Sequence, residues 1–273
     1  MITNNVYCAN WNRDGLIRWL RTRPADVVVL QEVPPIDKLL PKLGEAYPFS
    51  SRISSAGPRV QGVVEACQGM VLLSTFPIIT ATKFQPVATA WPALLASLQI
   101  DDATRVSLAV VHAADPIRAD GLAARDAFLH YLAEHLDTIH SPLIVLGDFN
   151  ASPFTPAFRE FQARTGLQLS PWNPATYPAG MRTLGISIDH VLVRDATLLR
   201  LEPLSSVGSD HRPLRALISV PVMGSAIPAG LAEDGKTGRT LPHRNSGEAG
   251  GGANTANIKR VAALSPVSAL LLP

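Results

Sequence analysis

The stretch VLGDFNASP, residues 145–153, places an apolar run directly before an acid and an amide. The run is typical of a buried strand, and Asp148 and Asn150 follow where that strand would end. Both residue types also close strands by bonding the neighbouring backbone, so a plain turn leading to a helix near Thr155 is one interpretation. The alternative is a chemical role for the two side chains, and it gains support if other strands of the chain end in the same way.

Eight segments, including this one, have the apolar or β-branched composition of sheet strands. They are residues 2–9, 26–33, 68–74, 93–100, 105–112, 142–148, 188–193 and 213–220. Two segments have helical periodicity instead. Residues 12–24 have Asn12 or Asp14 as a cap and end at Pro24. Residues 121–139 place Leu122, Phe128, Leu129, Leu132 and Leu136 on one face. Many strands and few helices in mixed order predict sheets packed face to face with helices outside.

The composition of the chain is that of a soluble globular protein. Of its 273 residues 47% are hydrophobic and 17% are charged. No apolar run reaches the roughly 18 residues that span a bilayer, and the first residues lack a secretory pattern. We therefore expect a soluble protein, with the cytoplasm slightly favoured as its location. Cys8 and Cys67 have no metal-site spacing, so we expect free thiols.

Charge divides the chain into a neutral body and a glycine-rich tail. The chain has 24 Lys+Arg and 22 Asp+Glu. Residues 222–273 contain five of the basic residues and three of the acidic ones, so residues 1–221 contain 19 of each. A neutral body disfavours a broad basic face for nucleic acid, although a local basic groove stays open. The tail lacks a periodic pattern and is expected to have no packed structure. Its apolar end is compatible with a short docking helix, but an inert extension is favoured.

Acidic, amide and imidazole side chains recur where the predicted strands end. They are Asn5, Glu32, His112, Asp148, Asn150, Asp189 with His190, and Asp210 with His211. Each has an ordinary explanation alone, such as an exposed strand end for Glu32, a core histidine for His112 or a turn for Asp210. Loops at one edge of a sheet commonly carry functional groups, so together these residues predict a site.

The sequence resembles the endonuclease/exonuclease/phosphatase family, which has the deoxyribonuclease-I-like fold. The motifs LQE, GDFN and SDHRP carry the resemblance by their order and spacing, and NNVYCANWNRD and GMVLLS add weaker support. The resemblance runs from about Asn5 to Val220. It implies an α/β fold in which two mixed, mostly antiparallel sheets form a four-layer sandwich with outer helices, in a catalytic domain of residues 1–221.

The resemblance implies hydrolysis of phosphoester bonds with a divalent metal, Mg²⁺ or Mn²⁺. Glu32 matches the metal-binding glutamate of the family, Asn5 matches the amide beside it, and Asp210 would add negative charge near the ion. Such a hard cation needs only one or two carboxylates from the protein because it keeps several waters.

The resemblance also implies the catalytic residues. Asp148 matches the acid that orients or deprotonates the attacking water, and Asn150 matches the amide that holds a phosphate oxygen. His211, polarised by Asp189, matches the histidine-aspartate pair of the family. His112 matches a second histidine found in the deoxyribonuclease-I, sphingomyelinase and inositol-phosphatase branches.

Two features differ from the exonuclease III branch, which has a tyrosine region in place of His112 and an acid where this chain has Tyr7. They argue against an abasic-site repair enzyme. The short first strand also departs from the family, so the chain is either a soluble relative or a truncated start.

Three functions remain open, and we favour a magnesium-dependent phosphodiesterase or nuclease acting as a monomer. A phosphomonoesterase or lipid phosphodiesterase with the same residues comes second, and a non-catalytic binding module third. Specificity is expected from the loops, where Arg52, Arg59 and Arg182 are candidates for phosphate contact and Trp172 and Tyr177 for base stacking. Solvated loop residues are at least as good an interpretation of the arginines, and packing of the proline-rich loop is the more common role of such aromatics.

Overall fold

The computed structural model describes residues 1–10, 12–33, 42–54, 69–86, 92–117, 120–181 and 184–221. In these ranges the chain forms twelve strands and three helices. The strands are β1 (Ile2–Asn5), β2 (Val27–Val33), β3 (Phe49–Ser54), β4 (Gly69–Ser74), β5 (Ile78–Phe84), β6 (Ala93–Gln99), β7 (Arg105–His112), β8 (Leu143–Asp148), β9 (Gln168–Leu169), β10 (Asp189–Arg194), β11 (Thr197–Pro203) and β12 (Leu214–Ser219). The helices are α1 (Arg13–Thr22), α2 (Gly121–Asp137) and α3 (Pro156–Thr165).

The strands form two six-stranded sheets. The first has the order β11-β12-β1-β2-β4-β3, and the second has the order β5-β6-β7-β8-β10-β9. Two neighbouring pairs in the described structure are parallel, β1 with β2 and β7 with β8, and the other pairs are antiparallel. The predicted pair of mixed, mostly antiparallel sheets is therefore confirmed.

Successive side chains of a strand point to opposite faces of its sheet. Some apolar residues therefore lie in the gap between the two sheets, and others lie on the outer faces. In β7, Val106, Leu108 and Val110 belong to the cluster between the two sheets. In the next strand of that sheet, Val145 packs outward among residues of α2 and α3. Residues of α1 cover the outer face of the other sheet, where Leu16 and Leu20 pack with strand residues. The result is the expected four-layer sandwich.

Both helices predicted from periodicity are present. The side chain of Asn12 caps α1 by accepting a hydrogen bond from the Gly15 backbone N–H at 3.1 Å. In α2 the residues Phe128, Leu129, Leu132 and Leu136 are buried, as expected. Leu122 is 53% exposed, which corrects its assignment to the buried face. It lies in the first turn, outside the cluster that the later residues join.

The cysteine prediction is wrong, because Cys8 is disulfide-bonded. The one other cysteine of the chain, Cys67, lies outside the described residues. Sequence spacing cannot reveal such a bond, since it depends on which segments the fold brings together. Disulfides persist mainly in oxidising compartments, so the bond gives no support to a cytoplasmic location.

The predicted tail, residues 222–273, also lies outside the described residues. None of the three helices in the described part of the chain combines the length and the apolar composition of a membrane-spanning segment.

Candidate active site

Strand alternation in the second sheet carries three polar residues to one end of the gap between the sheets. Along β7, the inward positions that hold Val106, Leu108 and Val110 continue to His112. Strand register then pairs His112 with Asp148 and Asp148 with Asp189. All three are buried. They form a polar row that ends the apolar core between the sheets.

The first sheet adds Asn5, which joins the two sheets through hydrogen bonds. Its side-chain N–H₂ donates to Glu32 Oε1 at 3.0 Å and to Asp148 Oδ2 at 3.0 Å. Its Oδ1 accepts from the Tyr7 backbone N–H at 3.0 Å. The amide nitrogen thus orients two carboxylates, while the oxygen is engaged in the turn after β1.

Glu32 reaches the site because β2 is bulged at its end. The strand register shifts between Leu30 and Val33, and Glu32 has a left-handed φ of 52°. Regular alternation would send Glu32 to the outer face with Leu30, so the bulge re-aims the side chain. The turned carboxylate accepts from the Cys8 backbone N–H at 3.0 Å through Oε2.

The loop before β12 places His211 against the polar row. Nδ1 of His211 lies 2.8 Å from Asp189 Oδ2, and Nε2 lies 3.7 Å from Asp148 Oδ2. The loop is tied to β1, since the Ser209 hydroxyl donates to the Asn5 carbonyl at 2.7 Å and accepts from the His211 N–H. The ring of Tyr177 lies 5.0 Å from the imidazole.

The charges in this group determine where its protons reside. Burial alone lowers the pKa of His211, but the carboxylates of Asp189 and Asp148 outweigh it and raise that pKa to about 10. Burial raises the pKa of Asp148 to about 7, against the opposing effect of the His211 cation. At neutral pH, His211 therefore carries a proton and Asp148 titrates close to neutrality, the range suited to a general base.

Asn150 and His112 flank Asp148. Asn150 has a left-handed φ of 47°, its backbone N–H donates to Asp148 Oδ1 at 2.8 Å, and its side-chain N–H₂ donates to the Ala113 carbonyl at 3.0 Å. Nε2 of His112 lies 3.5 Å from Glu32 Oε1. Burial lowers the pKa of His112 to about 4, so its imidazole is neutral and has one N–H to donate.

Asp210 has a feature that suits a cation. Its Oδ1 is buried and has no hydrogen-bond partner among the described residues. Burial raises the pKa of Asp210, the His211 cation lowers it, and the negative charge of Glu32 raises it. Asp210 and Glu32 are thus close enough to repel each other, and a divalent ion beside them would relieve both the repulsion and the unpaired oxygen.

A second group of possible metal ligands consists of Asp148, Asp189 and His211, whose ligand atoms lie within 4.8 Å of one another. The hydrogen bond between His211 and Asp189 already accounts for their closeness. That bond engages Nδ1 of His211, so Nε2 is the nitrogen of this imidazole that is left to face a metal. Glu32 and Asp210, with the unpaired Asp210 oxygen, are the other group whose charge suits a cation.

The structure therefore brings together all eight residues predicted for the site. Sequence reasoning missed Arg125, which bonds the Asn150 carbonyl, and it assigned no role to His190. Among the loop candidates, Tyr177 lies beside His211, whereas Arg52 and Trp172 are exposed. Arg59 and Arg182 lie outside the described residues.

Solved structures with the same fold include enzymes and a toxin. Sphingomyelinase C from Streptomyces griseocarneus is 19% identical, with 79% of this chain and 97% of that chain covered and a TM-score of 0.57. The human nocturnin catalytic domain with bound sulfate is 18% identical, with 80% and 92% covered and a TM-score of 0.60. A beta toxin mutant from Staphylococcus aureus with bound magnesium ions is 15% identical, with 79% and 97% covered and a TM-score of 0.56. At these identities the likeness shows the fold alone.

No curated protein matches the chain significantly. Residues 5–211 match the Endonuclease/Exonuclease/phosphatase family, and this match includes every residue of the site described above. The chain belongs to the endonuclease/exonuclease/phosphatase family.

Proposed function

We propose that this protein is a divalent-metal-dependent phosphodiesterase, with nucleic acid as the first substrate class to test. Members of its family hydrolyse phosphoester bonds. The observation that carries the proposal is the position of His211, which bonds Asp189 on one side and faces Asp148 on the other. A buried imidazolium between two carboxylates suits proton transfer at a phosphoryl group.

We propose Glu32 and Asp210 as the carboxylates that hold Mg²⁺ or Mn²⁺, with Asn5 beside them. The unpaired Asp210 oxygen and the excess of carboxylates over cations support this assignment. Bound there, the ion would supply positive charge to the phosphoryl and leaving oxygens. One solved structure of the same fold contains bound magnesium ions, which agrees with the choice of metal.

The other residues have separate roles in the proposed reaction. Asp148, with its pKa raised to about 7, would orient the attacking water and accept its proton. Protonated His211 would donate to the phosphoryl group, with Asp189 fixing the tautomer of its imidazole. Asn150 and neutral His112 would hold phosphate oxygens, which anchors the substrate beside these groups.

A lipid phosphodiesterase is the second candidate, and one observation favours it. Ile117, Phe154 and Leu184 are 87%, 83% and 83% exposed. They lie after β7, after β8 and before β10, so their loops emerge at the edge of the sheet that carries the site. Exposed apolar residues around a site fit an apolar partner such as a lipid surface.

The test compares bis-p-nitrophenyl phosphate with p-nitrophenyl phosphate, each with added Mg²⁺ and with EDTA. Faster hydrolysis of the diester supports a phosphodiesterase, and faster hydrolysis of the monoester supports a phosphomonoesterase. Inactivity on both, together with hydrolysis of phospholipid vesicles, supports the lipid enzyme. Full turnover after EDTA treatment would overturn the metal assignment.

Glu32→Gln is predicted to abolish the metal-dependent activity, because it removes the charge that the cation needs and keeps the shape of the side chain. Glu45→Gln is the matched control, since Glu45 is exposed and contributes nothing to the site. The rates of the two variants are measured at saturating Mg²⁺. Equal rates for both would contradict the role of Glu32.

A further inference from the structure

The turn that carries Asn150 departs from regular backbone geometry directly after a catalytic residue. Asp148 ends β8, Phe149 is fully buried, and Asn150 takes its left-handed φ of 47°. Left-handed backbone is unfavourable for a residue with a side chain, although asparagine tolerates it better than most. The turn therefore needs outside contacts to keep one conformation.

Arg125 of α2 supplies one such contact. Its side chain is buried, and one guanidinium N–H donates to the Asn150 carbonyl at 3.0 Å. The other edge of the guanidinium donates to Asp126 Oδ1 through Nε at 2.8 Å and through a terminal nitrogen at 2.6 Å. An unpaired buried guanidinium is costly. The bonds to Asp126 therefore hold the Arg125 guanidinium in the orientation in which its remaining nitrogen reaches the Asn150 carbonyl.

His190 of β10 contacts the carbonyl of the following residue, Ala151. Its Nε2 lies 2.8 Å from the Ala151 carbonyl, and its Nδ1 lies 3.1 Å from the Asn173 amide nitrogen. The ring packs against Phe158, with 4.6 Å between ring centroids. Burial lowers the pKa of His190 to about 4. The imidazole is thus neutral, donating from Nε2 and accepting at Nδ1.

We propose that Arg125 and His190 are positioning residues that hold the carbonyls of Asn150 and Ala151 and thereby set the position of the Asn150 amide beside Asp148. This inference deepens the proposed function and rests on it. The two donors come from different elements, a helix and a strand, and they bond consecutive carbonyls of the same turn.

The effect on the site passes through the bonds that the turn makes toward Asp148. The Asn150 backbone N–H donates to Asp148 Oδ1, and its side chain bonds Ala113 beside His112. Loss of either donor leaves a backbone carbonyl of the turn without that partner and lets the turn shift. Because a displacement of about 1 Å can cost 10²-fold in rate, the expected loss in kcat is about 10- to 100-fold.

Matched variants separate positioning from general stability. Arg125→Met removes one donor, and Arg194→Met is its control, because Arg194 likewise bonds backbone carbonyls, those of Thr165, Leu136 and Ile139, at the far end of β10. His190→Asn removes the other donor. His190→Gln is its control, since a glutamine amide can place an N–H near the position of Nε2.

The first readout is turnover of bis-p-nitrophenyl phosphate by the folded fraction of the full chain. We expect Arg125→Met and His190→Asn to lower kcat with little change in KM, and Arg194→Met and His190→Gln to keep kcat even if they melt earlier. In an Asn150→Ala background, Arg125→Met should cause a smaller further loss in kcat than in the wild type, because only the backbone N–H bond from residue 150 to Asp148 is left to disturb. Equal kcat for Arg125→Met and Arg194→Met, or additive losses with Asn150→Ala, would overturn the inference.

The second readout is hydrogen exchange of the Asn150 backbone N–H, which does not depend on activity. The inference predicts faster exchange in Arg125→Met and His190→Asn than in their controls, and unchanged exchange would overturn it. If the wild-type protein proves inactive on every phosphoester tested, the proposed function fails, and the exchange result still decides whether the two residues hold the turn.

Discussion

The hydrogen bond between His211 and Asp189 is the contact on which the proposed proton transfer depends most directly. His211→Ala is expected to lower kcat by about 10²- to 10⁴-fold, the usual contribution of a general acid or base. Asp189→Asn should cause part of that loss, because an amide cannot stabilise the imidazolium or enforce its tautomer.

The double variant tests whether His211 and Asp189 act as one unit. The fold-loss in kcat of the double variant should be far smaller than the product of the two single fold-losses. Removal of one partner already removes the function of the pair. Measuring kcat and melting temperature for all three variants decides the matter. Fully multiplicative losses would contradict the pairing, and lowered melting with normal turnover would mean that the pair only supports the fold.

His190 is expected to make stability fall in acid. Its pKa is 6.5 in model peptides and about 4 in the fold, mainly because burial disfavours the charged form. Between these values the unfolded chain binds more protons, so the contribution of His190 is complete above pH 6.5 and is lost as the pH falls toward 4. The difference of roughly 2.5 pH units corresponds to about 3 kcal/mol.

Urea unfolding at pH 7 and pH 4.5 checks this prediction in the wild type and in His190→Gln, which cannot titrate. We expect the wild type to lose more unfolding free energy on acidification than the variant, by about 2 kcal/mol over this pH interval. His112, Asp148 and His211 titrate in both proteins, so their effects cancel when the two losses of unfolding free energy are compared. An equal loss in both proteins would show that His190 is not held neutral.

Sequence reasoning predicted the residues that the structure brings together but not the contacts that hold them there. Glu32 and Asp148 are recognisable because each acid comes two residues after the end of an apolar run. The left-handed backbone at Glu32 leaves no local signal, since the bulge depends on how β2 pairs with β4. The contact of Arg125 with Asn150 joins residues 25 positions apart, so it depends on how α2 packs and no sequence pattern predicts it.

At the scale of elements, the strands that sequence reasoning identified are the eight interior strands of the two sheets. The four that it missed are β3, β5, β9 and β11, which form the edges. An edge strand needs less apolar surface and carries polar residues. In β5, for example, the residues between Ile78 and Phe84 are all exposed. The apolar runs on which strand prediction depends are therefore weak or absent at sheet edges.

Gly147 lets β8 pass close to β7 directly before Asp148, and this close approach sets the position of Asp148. Its φ is 137°, and a Cβ at this position would lie 2.0 Å from the Val111 carbonyl oxygen of the neighbouring β7. Gly147→Ala should therefore combine backbone strain with a clash and cost about 3 kcal/mol or more.

Thermal unfolding of Gly147→Ala should show a melting temperature lower by several degrees, since 1 kcal/mol corresponds to roughly 2 to 4 °C for a domain of this size. Gly180→Ala is the control, because no atom lies within 4 Å of a Cβ placed at Gly180. Similar melting of the two variants would mean that β7 and β8 can move apart without cost.

For the whole molecule, the position of the site follows from the two parallel strand pairs. In each sheet a strand, a helix and a parallel strand bring two carboxyl ends to one edge, which places Asn5 beside Glu32 and His112 beside Asp148. The two sheets face each other, so the pairs meet across the gap through the bond from Asn5 to Asp148. This arrangement explains why residues more than 100 positions apart form one site.

Deletion of residues 222–273 is expected to leave a folded and active domain. The described body contains both sheets, their outer helices and every proposed site residue, and the tail lacks a pattern that would let it share the core. A chain that ends at Pro221 should melt within a few degrees of the full chain and keep its kcat. Scanning calorimetry and the bis-p-nitrophenyl phosphate assay check both points. A large drop in melting temperature would instead place the apolar tail on the body, where Met1, Ile218 and Val220 line an apolar cavity of about 70 Å³ at the end opposite the site.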